Sequence, residues 1–151
     1  MSTCIFIASD HPLPEVKPSH DYSTVINIDK GTISDGGADD NFYLSNFREA
    51  ELYTKLRYAV SLQWHYTNGR AQEILKYIKK ALEYTEVVEL WHVWLLDYYE
   101  FEDRPFVHRK TITIAQLKSD DIKEIDEAEI WNKPDRHYPD RPSFYCLKIV
   151  R

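Results

Sequence analysis

Six histidines, at positions 11, 20, 65, 92, 108 and 137, and two cysteines, Cys4 and Cys146, are the side chains best able to bind a metal or act as nucleophiles in this chain. Structural zinc sites draw their ligands from closely spaced His and Cys pairs, and helical zinc sites from His-Glu-X-X-His. Neither spacing occurs here. His65, His92 and His108 fall in three strand-like segments. They would meet only if those strands were neighbours sharing a face, with Glu89 or Asp97 completing the set. Chance placement is the expectation, with no metal and no cofactor. Both cysteines sit in apolar runs, TCIFIAS and FYCLKIV, where burial keeps a thiol protonated and inert. Gly-X-Ser-X-Gly is absent, and Asp35-Gly36-Gly37 lacks the strand-to-helix context of a phosphate loop, so it reads as a flexible turn. The acidic groups Asp39/Asp40, Glu100/Glu102/Asp103 and Asp120/Asp121 have the composition of solvent-facing loops. No residue is assigned to catalysis, and binding is favoured over enzymatic activity.

Two aromatic loops carry more information. In the segment from Asp97 to Phe106, Tyr98, Tyr99 and Phe101 lie among Glu100, Glu102 and Asp103. Aromatic anchors set in negative charge suit a basic protein surface. Trp131, His137, Tyr138 and Phe144, around the proline-broken stretch from Trp131 to Pro142, offer a second such surface. The leading expectation is a non-catalytic protein-interaction or regulatory module that binds a basic protein. One alternative is a small-ligand-binding protein or minor enzyme, with a pocket at a sheet end built from Trp64, His65, Trp91, His92 and Trp94. The other is a homo-oligomeric structural protein pairing through a sheet face or edge.

The chain must supply a scaffold for these residues. Its 151 residues suit one domain spanning 1–151, and 43% hydrophobic with 14% aromatic content can build a core. Nineteen basic against twenty-five acidic residues give a net charge of −6, which argues against nucleic acid as a partner. No basic-then-apolar leader and no run of ~18–20 apolar residues is present, so a cytoplasmic protein without membrane contact is expected.

Period-two alternation predicts strands at Leu56–Tyr66 and Val107–Ile114, with short apolar runs marking strands at Thr3–Ser9, Thr24–Ile28 and Phe144–Val150. Val87–Leu96 is apolar on both faces and reads as a central strand. Ala71, Ile74, Leu75, Ile78, Ala81 and Leu82 recur on one face of the main amphipathic helix. A weaker helix follows Thr113 or Ser119, Asp29–Asp40 reads as a loop, and Ser45–Thr54 stays open between helix and irregular chain. The fold class is α+β, a mixed sheet of about six strands with one main helix. The two strands around the helix should be parallel, and the strand at Val107 should pair with the preceding one as an antiparallel hairpin. A ferredoxin-like core with two extra N-terminal strands is the specific expectation.

The segment IFIASDHPLPE, the helix followed by VVELWHVWLLD, the acidic hairpin with HRKTITIAQL and the terminal FYCLKIV together resemble a family of small bacterial proteins of uncharacterised function. The resemblance spans most of the chain and implies a fold and a cytosolic compartment, with no activity attached. Members of that family often carry Cys-Gly-Cys before the main helix. This chain has Leu62-Gln63-Trp64-His65-Tyr66 there, so no thiol or metal role transfers.

Overall fold

The computed structural model describes residues 3–95, 106–128 and 143–151. Apolar runs form β1 (Thr3–Ser9), β6 (Val87–Trp94) and β8 (Phe144–Val150), alternating residues form β5 (Tyr58–Gln63) and β7 (Val107–Thr113), and β4 (Tyr43–Asn46) joins them. These six make one sheet in the order β4-β5-β1-β6-β8-β7. All neighbours are antiparallel except β7 and β8. A separate two-stranded hairpin consists of β2 (Val25–Asn27) and β3 (Thr32–Ser34).

The α+β class and the six-stranded mixed sheet match the reading of the sequence, but the strand order departs from a ferredoxin-like one. β5 and β6 run in the same direction, as expected around a crossover helix, with β1 inserted between them. β1 is therefore a central strand rather than an N-terminal extra. β7 pairs in parallel with β8 and not in a hairpin with β6. Burial gives the reason. β8 buries Leu147 and Ile149 on one face and Phe144 and Cys146 on the other, whereas among β7 residues only Ile112 is buried. A strand that is apolar on both faces gains more from an interior position, so β8 takes the place beside β6 and leaves β7 the edge.

The main helix α1 (Asn68–Ala81) is capped by Thr67, whose side chain accepts from the Arg70 backbone N–H at 3.1 Å. It lays Ala71, Ile74, Leu75 and Ile78 on the sheet beside Ile7, Val60 and Leu90. The second helix α2 (Ser119–Asp126) adds Ile122 and Ile125 to the same core, and Asp121 closes its first turn by accepting from the Lys118 N–H at 2.9 Å. On the opposite face Phe6, Ala8, Ala59, Trp91, Val93 and Cys146 form a second core. Ala50 and Tyr53 cover it from a 3-10 turn at Arg48–Leu52, which settles the open segment Ser45–Thr54 as strand end and 3-10 turn. Cys4 and Cys146 lie on this face with β6 between their strands. Two inter-strand spacings, roughly 9–10 Å, exceed what a disulfide spans. Burial pushes both thiols up to about 12. No helix among the described residues is long and apolar enough to cross a membrane.

Candidate interaction surface

The β2–β3 hairpin comes from β-branched residues on either side of Ile28-Asp29-Lys30-Gly31. The Asn27 side chain accepts from the Lys30 N–H at 3.0 Å, and the Gly31 N–H donates to the Ile28 carbonyl at 3.3 Å. Gly31 takes φ 61°, which closes the turn without a side-chain penalty. Ile26 faces Ile33 across the pair. Among the described residues the hairpin's strands pair only with each other, and we call this hairpin the arm. Its aliphatic side chains are in water: Val25, Ile26, Ile28 and Ile33 are 63, 65, 89 and 62% exposed.

An isolated two-stranded hairpin is marginal in water, so its root has to be held by the body. Arg70, fully buried in the first turn of α1, does this. Its Nη1 and Nη2 engage Asp35 at 2.9 and 3.0 Å, Nε donates to the Ala38 carbonyl at 2.8 Å, and Nη1 donates to the His65 carbonyl at 2.9 Å. Asp35 also accepts from the Gly37 N–H at 3.0 Å, so Asp35-Gly36-Gly37 is a pinned turn rather than a flexible one. The other root strand is tied by Asp40, which accepts from the Ser19 hydroxyl and from Tyr22 Oη at 2.5 Å.

The Arg70 hydrogen bonds, with help from Gly37, hold the Asp35 carboxyl down at about 2, and the bonds from Ser19 and Tyr22 do the same for Asp40. An unfolded aspartate titrates near 3.8. A carboxyl depressed in the fold lends stability that is complete above the unfolded value and is lost as pH falls through the folded one. The melting temperature is therefore expected to fall between about pH 4 and pH 2, and less steeply in Asp40→Asn. A flat profile by circular dichroism across that window would contradict the pinning.

A cleft of about 560 Å³ opens where the arm meets the β4–β5 side of the sheet, walled by Asp21, Tyr22, Asp35, Tyr43, Gln63 and Trp64 among others. The five residues predicted to share a pocket separate. Trp64, His65 and His92 do meet in a second cleft, of about 590 Å³, at the sheet end, with Tyr66 and Asp126. There the Trp64 indole N–H donates to Asp126 at 2.8 Å. Trp91 points the other way into the second core, and Trp94 packs against that same cluster. Neighbouring residues on a strand face opposite sides, which is why Trp91 and His92 part. His92 engages the Ile125 carbonyl at 2.7 Å, and His108 stacks on Tyr145 at 4.7 Å. His92 and His108 both register with Tyr145, which keeps them a strand apart. Among the described residues no group of three or more His, Cys, Asp or Glu side chains is placed to hold a metal ion. Of the predicted contact residues, Phe144 is buried in the second core, because the even face of β8 packs there, while Tyr98, Tyr99, Glu100, Phe101, Glu102, Asp103, Trp131, His137 and Tyr138 lie outside the described residues.

Comparison with protein-family models, curated proteins and solved structures returned no match.

Proposed function

We propose that this protein is a non-catalytic interaction module that docks on another protein through the β2–β3 arm. The observation carrying this reading is the set of four aliphatic side chains held in water on a hairpin that is tied at its root and, among the described residues, pairs with no other strand. Exposed aliphatic side chains set side by side, as Ile26 and Ile33 are, mark binding surfaces, because leaving them in water forgoes burial. The outer edges of β2 and β3 also carry backbone groups free to accept a further strand. The acidic aromatic segment from Asp97 to Phe106 is a second contact element in the same reading, and a basic protein is the partner both would suit. With only two cysteines, both free, and a core that needs no disulfide, we propose a cytoplasmic location.

The test is affinity capture from the source cells with the wild-type chain and with Ile26→Ser/Ile33→Ser, the captured protein being identified by mass spectrometry. The double variant is expected to lose the partner while its melting temperature stays within about 2 °C, as exposed substitutions usually do. Retention of the partner would overturn the reading, and so would a large drop in melting temperature, which would place the two isoleucines in the core. A small-ligand role is the second reading, favoured by the convergence of Trp64, His65 and His92 in one cleft. Native mass spectrometry of the untagged protein would show a bound small molecule if that reading holds.

A further inference from the structure

We propose that the cleft at the root of the arm receives the guanidinium or ammonium group of an Arg or Lys side chain, which the arm's partner carries beside an aliphatic surface. This rests on the docking role of the arm and adds the chemistry of its partner. The cleft presents the rings of Tyr22, Tyr43 and Trp64 and the carboxylates of Asp21 and Asp35, and among the described residues no lysine or arginine lines it. His65 also lines the cleft, and Arg70 lies behind Asp35, fully buried, with each of its three guanidinium nitrogens bonded to Asp35 or to a carbonyl. Arg70 matches the charge of Asp35 and leaves that of Asp21 to the cleft.

Aromatic faces and an unmatched carboxylate attract a cation and repel an anion. A volume of about 560 Å³ has room for a charged head and its methylene stem. The aliphatic arm rises from the same root, so a partner would meet apolar surface and cation site together. A second copy of this chain suits the site poorly. The segment from Asp21 to Asp40 holds five aspartates against one lysine, Lys30, and two such arms would bring like charges together.

The test titrates the full-length, nitrogen-15-labelled chain with N-acetylarginine methylamide, using N-acetylcitrulline methylamide as the neutral isostere. The Trp64 indole N–H and the Gln63 side-chain amide are expected to shift saturably with the arginine compound, at least about tenfold more tightly than with citrulline. Asp21→Asn, an exposed change, is expected to weaken binding about threefold without altering the rest of the spectrum. Absence of a shift, equal binding of citrulline or an unaffected Asp21→Asn would each overturn the inference. Ile26→Ser/Ile33→Ser should still bind the arginine compound, so the two proposals fail separately. A chain that ignores arginine while its arm still captures a protein loses this inference alone. An arm-dependent dimer in sedimentation would also overturn it, by making the partner a second copy.

Discussion

Arg70→Met is expected to lower the unfolding free energy by about 3 kcal/mol, the low end for breaking a buried ion pair. Methionine fills much of the same space, so the loss is electrostatic. Asp35 would lose its bidentate partner, and the Ala38 and His65 carbonyls would each lose a donor. The low end applies because the Asp35 side chain keeps 16% exposure and some hydration. Adding Asp35→Asn should recover part of the loss, since the stranded charge goes with it. Urea denaturation of the single and double variants measures both terms. The same variant should release the root of the arm and weaken partner capture. A loss below about 1 kcal/mol, the worth of a surface pair, would show that Arg70 does not hold the arm.

Trp91→Ala is expected to cost about 3–5 kcal/mol, as large aromatic truncations in a core do. Trp91 is 1% exposed, stacks on Phe6 with centroids 5.8 Å apart and planes at 6°, and donates its indole N–H to Glu89 at 2.7 Å. Glu89 also accepts from the Thr54 hydroxyl at 2.6 Å, so one partly buried carboxylate ties the 3-10 region to the sheet. Alanine leaves a cavity against Phe6 and removes one of the two donors to Glu89. Trp64→Ala, at a half-buried cleft wall, should cost clearly less. If Trp91 lined a ligand pocket, its removal would cost little in the free protein, and thermal denaturation separates the two cases.

Periodicity was enough to locate most of the scaffold. The stripe of Ala71, Ile74, Leu75 and Ile78 and the two-sided apolar run at Val87 mark α1 and β6 because burial dictates residue type in both. Strand neighbours were harder to read. Which strand sits inside depends on comparing the two faces of β7 and β8, a long-range competition that loop length does not reveal. The arm was missed because Thr32–Ser34 is short and embedded in a stretch rich in Gly and Asp. The signal was the turn Asn27-Ile28-Asp29-Lys30-Gly31 flanked by Val-Ile and Thr-Ile. Arg70 also left a trace, four residues before Ile74 and eight before Ile78, a charge on the buried stripe. A charge placed there demands a partner, but nothing local names Asp35, thirty-five residues earlier. Residue type and proximity in the chain suggest one pocket for Trp91 and His92, but strand alternation sends them to opposite faces.

The most direct test of the docking role of the arm is site-specific photo-crosslinking in the source cells. A photoreactive residue would replace Ile28, 89% exposed at the arm's tip, or Tyr84, 61% exposed near the end of α1. The Ile28 position is expected to join one other protein, at a mapped peptide, far more efficiently than the Tyr84 position does. Equal yields at the two positions, or no adduct at Ile28, would contradict that role.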